Sequence, residues 1–167
     1  DRVMLEGMPD DARTREMLYQ HDIGVAHLRR ALTRAAKEQL ARILAEAHAK
    51  GGNVLIPAFA VGRTQEVLYH LSALVDEGDL DPSSVFLDSP MAIEASKVYW
   101  DYPHLYDEEA TKLRRQVHEM PHLRNLQLTP TPQESMAINQ IESGAIIISA
   151  SGMCTGGRIL HHLKHNI

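Results

Sequence analysis

Apolar residues along the chain follow two patterns that alternate with each other. From Ala31 to Ala49 they recur at helical spacing with charged residues between them, which predicts an amphipathic helix. Gly51 and Gly52 end that helix. The runs Val54–Ala60 and Ala145–Ala150 are almost continuously apolar over the length of a strand, a pattern typical of strands covered on both faces. The chain therefore alternates helices with buried strands.

The remaining segments continue this alternation. Strands that are apolar throughout and separated by helices indicate crossover connections between parallel strands. We therefore expect an α/β fold of three layers, a mostly parallel sheet with helices on both faces in a doubly wound, Rossmann-like arrangement. The other predicted helices are Gly62–Val75, Met91–Trp100, Asp107–His118, Thr131–Glu142 and Arg158–His165, and the other predicted strands are Ser84–Leu87 and Leu123–Leu128.

The composition is that of one globular domain. Of the 167 residues, 44% are hydrophobic and 23% are charged, which disfavours disordered and coiled-coil classes. No apolar run approaches the length of a membrane span. The single cysteine, Cys154, excludes internal disulfides and suits a reducing compartment, so we expect a cytoplasmic location. With a net charge of -5, any contact with nucleic acid must be confined to a local patch.

Three turns that lead from a strand into a helix carry the candidate chemistry. They are Phe59–Glu66, Leu87–Glu94 and Ser149–Arg158, and in parallel sheets ligands bind at the carboxyl ends of the strands. Backbone amides at the starts of helices favour anions, above all phosphates. Arg63 and Arg158 would add positive charge to two of these turns. Alternatively, both arginines are ion-paired scaffolding and the glycines only make tight turns.

The third turn matches none of the common nucleotide motifs. Gly152 is followed by Gly156 and Gly157, a spacing that differs from dinucleotide-binding and P-loop sequences. Cys154 and Arg158 are also too close together for the phosphate loop of cysteine phosphatases. We therefore interpret Cys154 as a small turn residue rather than a nucleophile.

Two histidines on the last predicted helix are candidates for a metal site. His161 and His165 lie four residues apart on one helical face, a spacing that allows two imidazoles to bind one ion. The HExxH and HxHxDH arrangements are both absent from the chain. We therefore favour a histidine-rich packed or solvated helix and predict no metal ligands in this chain.

Three blocks of sequence, taken together, resemble one family. Their order and spacing are similar to those of the beta-CASP domain of metallo-beta-lactamase-fold RNA nucleases, which include bacterial ribonucleases and the eukaryotic pre-mRNA cleavage and polyadenylation nuclease. The blocks occupy less than half of the chain. They are GGNVLIPAFAVGRTQEVLYHL (Gly51–Leu71), FLDSPMA (Phe86–Ala92) and IIISASGMCTGGRILHHLKHNI (Ile146–Ile167).

The resemblance implies two domains with different roles. In this family a metallo-beta-lactamase domain carries HxHxDH and further ligands for two zinc ions, and the beta-CASP domain is a cap inserted over it. Single-stranded RNA passes between them, where a metal-bound hydroxide attacks the phosphodiester. The zinc ligands would precede Asp1 and further histidines would follow Ile167. We therefore expect residues 1–167 to be an excised beta-CASP domain, with residues 1–30 partly linker, no bound cofactor and no hydrolytic activity alone.

The resemblance also implies contacts with the substrate. Amides of the Ser151–Gly157 turn would hold a phosphate or sugar, while Arg63 and Arg158 neutralise charge or brace the loops. The expected partners are single-stranded RNA and the metallo-beta-lactamase domain of the same polypeptide, and no membrane. The candidate RNA-binding residues are Arg63, Ser89, Met91, Ser151, Gly152, Met153, Gly156, Gly157 and Arg158.

The sequence is compatible with three functions. The first is the RNA-clamping domain of a metal-dependent ribonuclease. The second is a relative with a degenerate catalytic half that only binds RNA or a nuclease partner, and residues outside this chain distinguish it from the first. The third is an unrelated doubly wound domain that binds a small phosphate ester, which tight binding of a mononucleotide but not of oligonucleotides would favour.

Overall fold

The computed structural model describes residues 20–78, 84–102 and 126–166. The chain divides into two compact units, Asp1–Glu38 and Gln39–Ile167. Of the first unit, the described part is helical backbone from Gln20 onwards. The sheet and both hydrophobic clusters belong to the second unit. The predicted linker within residues 1–30 falls mainly outside the described residues and stays a prediction.

Five helices and four strands alternate along the described residues, and they confirm the predicted α/β class. None of these helices combines the length and apolar character needed to cross a bilayer. The helices are α1 (Gln20–Ala49), α2 (Arg63–Glu77), α3 (Pro90–Asp101), α4 (Pro132–Ile138) and α5 (Ile159–Asn166), and the strands are β1 (Val54–Pro57), β2 (Ser84–Asp88), β3 (Leu126–Leu128) and β4 (Ala145–Ser149).

The four strands form one parallel sheet in the order β1-β4-β2-β3. All five residues of β4 are buried, as expected for a strand that pairs on both sides. The register sets Ser149 opposite both Pro57 and Asp88, and Leu87 opposite Leu128. All four strands therefore end at the same edge of the sheet, which brings the turns that follow them together.

Helices cover both faces of this sheet. One cluster joins Leu87 and Ile148 to apolar side chains of α1, α2 and α3, such as Leu71. The other cluster joins Phe86 and Ile147 to Ile138 of α4. Neighbouring residues of one strand point to opposite faces, so β2 and β4 supply side chains to both clusters. The predicted arrangement of three layers is confirmed.

Some predicted boundaries are wrong. The strand predicted over Val54–Ala60 ends at Pro57, because the Phe59 carbonyl turns to accept hydrogen bonds from the start of α2. The helix predicted over Thr131–Glu142 ends at Ile138, where the backbone tightens into hydrogen bonds between residues three apart. The predicted helix Asp107–His118 lies outside the described residues.

Candidate functional site

The first turn at the carboxyl edge of the sheet is held by two polar side chains of α2. The Phe59 carbonyl accepts hydrogen bonds from the Thr64 amide (3.2 Å) and from the Thr64 hydroxyl (2.8 Å). Gln65 Nε2 donates to the Ala60 carbonyl at 3.1 Å and to Ser96 Oγ of α3 at 2.8 Å. The backbone of this turn is thus fixed by α2, whose Gln65 is itself anchored on α3, while Phe59 remains 54% exposed.

Arg63 is the exposed cation of the first turn. Its guanidinium pairs with Glu66 Oε2 at 2.7 Å, and both side chains are at least half exposed. Ion pairs of this kind contribute little to stability because water screens them. The Arg63 guanidinium is therefore accessible to an anion at modest cost.

The second turn uses its serine to begin α3. Ser89 is buried, and its hydroxyl accepts a hydrogen bond from the Ala92 amide at 3.3 Å. Its carbonyl accepts from the Ile93 amide at 2.9 Å. Ser89 is therefore the N-cap of α3. Met91, in the first turn of that helix, is exposed.

The third turn, Ser151–Gly157, is closed at its base. The Ser151 amide donates to the Gly156 carbonyl at 3.3 Å, and the Cys154 amide donates to the Ser151 carbonyl at 3.1 Å. Gly157 has a φ of +76°, and a Cβ placed there would lie 2.4 Å from the Ala150 oxygen. Only glycine fits this close approach. Cys154 is a turn residue, as interpreted from the sequence, with a φ of +53°.

The beginning of the third turn, at Gly152, lies against the first turn. A Cβ built on Gly152 would stand 3.0 Å from the Phe59 amide nitrogen and 3.1 Å from its ring. Met153 beside it is exposed. The amides of Gly152, Met153, Thr155 and Gly156 have no acceptor within the described part of the chain. Gly152, whose amide is one of these donors, therefore lies beside the half-exposed ring of Phe59.

A buried carboxylate that the sequence analysis did not single out lies at the end of β2. Asp88 is fully buried. Its Oδ1 accepts hydrogen bonds from Thr129 Oγ1 and from Arg158 Nη1, both at 2.8 Å. Its Oδ2 accepts from Ser135 Oγ at 2.6 Å and faces His162 Nε2 at 2.7 Å. We call these five residues the Asp88 cluster.

The donors of the Asp88 cluster keep its carboxylate ionised. Burial is the largest single influence and would raise the pKa of Asp88, but the hydrogen bonds from His162, Ser135, Thr129 and Arg158 together lower the pKa below the usual value of 3.8. An ionised carboxylate only accepts hydrogen bonds, so His162 Nε2 carries a proton. The other ring nitrogen, Nδ1, lies 3.1 Å from Asn139 Oδ1.

Arg158 also binds the connection between β3 and α4. Its Nη1 donates to the Thr129 carbonyl at 2.7 Å and its Nη2 to the Pro130 carbonyl at 2.8 Å. Its side chain is 20% exposed. Of the two arginines predicted to meet RNA, Arg63 is therefore exposed at the edge, whereas Arg158 is engaged inside the fold.

The sequence contains a signal for Asp88 and His162, two residues that are not among the predicted site residues. Asp88 follows the apolar strand Val85–Leu87 directly, and a charge at the end of a buried strand needs partners. His162 lies three residues after Ile159 and so shares its inward helical face. Both residues were therefore detectable as buried polar groups, although their pairing was not.

The histidines of α5 do not form a metal site with their neighbours. His161 and His165 are exposed, whereas His162 points inward between them. Within residues 20–78, 84–102 and 126–166, no three His, Cys, Asp or Glu side chains come together in a way that could hold a metal ion. The described residues therefore do not fit a zinc site.

Comparison with known proteins adds a family and several relatives. Residues 64–167 match the family model described as the Beta-Casp domain. The chain is 35% identical over 135 residues, or 80% of its length, to Ribonuclease TTHA0252 of Thermus thermophilus, covering 31% of that protein. It is 30% identical over 131 residues, or 78% of its length, to Transcription termination factor FttA of Methanocaldococcus jannaschii, covering 20% of that protein. The chain thus spans less than a third of either relative.

Proposed function

Because the chain belongs to the Beta-Casp family, we propose that it is the RNA-clamping cap domain of a two-zinc, metallo-beta-lactamase-fold ribonuclease that hydrolyses phosphodiester bonds in the cytoplasm. The family membership confirms the resemblance seen in the sequence. The observation that carries the proposal is the Ser151–Gly157 turn at the carboxyl edge of the sheet, in which several amides have no acceptor among the described residues and Gly152 lies against Phe59. A relative named as a ribonuclease supports it.

In this proposal the turns at the sheet edge hold a single RNA strand. Amides of Gly152, Met153 and Gly156 donate hydrogen bonds to a phosphate or sugar oxygen, and Arg63 neutralises phosphate charge. Phe59 offers a face on which an unstacked base can lie. Ser89 acts through the start of α3, which sets the position of Met91. The proposed partners are single-stranded RNA and a metallo-beta-lactamase domain of the same polypeptide.

The proposed zinc ions are assigned to that other domain. The described residues of this chain do not form a metal site, so we assign no step of the hydrolysis to them. When bound, two zinc ions would supply a hydroxide nucleophile and stabilise the charge of the transition state. The part of this chain is to bind and orient the RNA, and the chain alone is expected to be inactive.

Cleavage of labelled single-stranded RNA by the parent polypeptide, with the flanking sequence on both sides, tests the proposal. We expect HxHxDH in the upstream flank, further histidines downstream, and cleavage that stops on chelation and returns with zinc. Binding without cleavage would instead indicate a non-catalytic RNA-binding module. Tight binding of a mononucleotide without binding of oligonucleotides would indicate a phosphate-ester domain.

Replacing Arg63 with alanine in the parent protein is expected to weaken RNA binding. If Arg63 neutralises one phosphate, the slope of log Kd against log salt falls by about 0.7. The melting temperature should hardly change, because an exposed ion pair such as Arg63–Glu66 contributes less than about 1 kcal/mol. Filter binding at several salt concentrations measures both the affinity and the slope.

Arg42→Ala is the matched control. Arg42 belongs to an exposed ion pair with Glu46 on α1 and lies in none of the strand-to-helix turns. Its replacement should leave both affinity and salt slope unchanged. Unchanged binding of the Arg63→Ala protein together with a lowered melting temperature would assign Arg63 to the scaffold.

A further inference from the structure

We propose that Asp88 and Arg158 are positioning residues, which hold the Ser151–Gly157 turn in its RNA-binding shape without contacting RNA themselves. The inference rests on the proposed function and deepens it. It concerns the buried carboxylate at the end of β2 and the guanidinium that follows the turn directly. Arg158 thereby changes from a candidate RNA contact to a residue that acts through its neighbours.

The contacts of Arg158 leave it poorly placed to bind a phosphate. Three of its N–H groups donate to Asp88 Oδ1, to the Thr129 carbonyl and to the Pro130 carbonyl, at 2.7 to 2.8 Å. A guanidinium has five such donors in a rigid plane. Engagement of three of them, on oxygens from β2 and from the connection after β3, fixes the plane and the position of the Arg158 side chain.

The carboxylate of Asp88 fixes the start of α5 at two points. Arg158 and His162 lie four residues apart, and each contacts a different oxygen of the same carboxylate. Their spacing equals one helical turn, so both side chains face the sheet together. Asp88 itself cannot move, because it is buried at the end of a strand that pairs with β4 on one side and β3 on the other. The start of α5 is therefore tied to the centre of the sheet.

The hydrogen bonds of Arg158 also constrain the Ser151–Gly157 turn, because this turn directly precedes Arg158 in the chain. Gly157 packs on the Ala150 oxygen, and the Gly156 carbonyl accepts the Ser151 amide. A shift of the Arg158 backbone would move Gly156 and Gly157 and open this base. The positions of the Gly152 and Gly156 amides relative to each other, on which the proposed RNA binding depends, would then change. Loss of the Asp88 to Arg158 contact should therefore weaken RNA binding without removing any group that touches RNA.

A double-mutant cycle on RNA affinity separates positioning from direct contact. In the parent protein, Asp88→Asn and Arg158→Ala should each weaken binding about tenfold, as does loss of residues that orient a binding group. The double variant should lose about tenfold as well, because both changes break the same link. The salt slope should not change. Additive losses, with a slope lowered by about 0.7 in Arg158→Ala, would show direct contact with phosphate and overturn the proposal.

The labelling rate of Cys154 provides a reading that does not depend on RNA. Cys154 lies within the turn and is partly exposed. Its alkylation by iodoacetamide, followed by mass spectrometry of the peptide that contains it, should be several times faster in Asp88→Asn and Arg158→Ala. If wild-type protein binds no RNA, the proposed function fails, while faster labelling in these variants still supports the link. Labelling and affinity equal to wild type in both variants would reject the link itself.

Leu74→Val is the control for lost stability. Leu74 is buried on α2 in the apolar cluster that contains Leu87 and Ile148, and it belongs neither to the Asp88 cluster nor to a strand-to-helix turn. Its replacement should lower the melting temperature while leaving RNA affinity and Cys154 labelling unchanged. If Asp88→Asn does not fold, Arg158→Lys serves in its place, because one ammonium keeps the charge but cannot span three oxygens. Wild-type affinity and labelling in Arg158→Lys would then overturn the proposal.

Discussion

Gly157→Ala should lower the free energy of unfolding by about 3 kcal/mol, the sum of a left-handed backbone and an overpacked contact. The new Cβ would lie 2.4 Å from the oxygen of Ala150, 2.9 Å from its carbonyl carbon and 3.0 Å from the Ser151 nitrogen. All three atoms belong to backbone, which cannot rotate away as a side chain can. The backbone must therefore shift at the base of the turn. Urea unfolding at neutral pH measures this loss.

Two other glycines separate the contributions to this effect. Gly78 also has a positive φ, of +78°, but a Cβ there would meet nothing within 4 Å, so Gly78→Ala should cost only about 1 kcal/mol. Gly156 has open space and no positive φ, so Gly156→Ala should be close to neutral. If Gly157→Ala cost no more than Gly78→Ala, the close contact with Ala150 would be without consequence.

Asp88→Asn should cost about 3 kcal/mol at neutral pH, because it leaves buried donors without their anionic acceptor. The amide retains the shape of the side chain, so the loss reports charge rather than volume. Arg158 and His162 lose most, since each faces one carboxylate oxygen at 2.7 to 2.8 Å. Denaturation by urea at pH 7 measures the change.

Asp88→Asn should also alter how the free energy of unfolding depends on pH. The pKa of Asp88 in the folded chain is depressed below 3.8. The contribution of ionised Asp88 to the free energy of unfolding is therefore fully present above the pKa that Asp88 has in the unfolded chain. This contribution is lost as pH falls through the pKa that Asp88 has in the folded chain. The free energy of unfolding of the wild type should accordingly fall below pH 3.8, and that component should be missing in Asp88→Asn.

Glu134→Gln is a suitable comparison for the loss of stability at acid pH. The pKa of Glu134 is also lowered, first by the Thr131 hydroxyl and then by the Thr131 amide, but the side chain is exposed at the start of α4. Its replacement should change the fall of the free energy of unfolding at acid pH much less than Asp88→Asn does. Parallel curves for the wild type and Asp88→Asn between pH 3 and pH 5 would contradict the assigned pKa direction.

The elements of this fold could be predicted where their signal is local. The continuous apolar run of β4 and the helical spacing of α2 depend only on residues near them in the chain, and both were found. The ends of β1 and α4 are not predicted correctly, because the Phe59 carbonyl turns towards α2 after β1 and the backbone after Ile138 tightens into hydrogen bonds between residues three apart. The pairing of β1 with β4 is not predictable from a local pattern either: the Ala58 amide donates to the Ser149 carbonyl, about ninety residues further along the chain, and no short pattern encodes that partner.

The sequence alone determined the class of fold, the three turns and the family. These follow from periodicity and from blocks of residues that are close together in the chain. Only the tertiary structure decided that Arg158 contacts Asp88, 70 residues before it, and that His162 contacts the same carboxylate across 74 residues. The reason is that such contacts depend on the order of the strands, which places β4 beside β2 and so brings the start of α5 over Asp88.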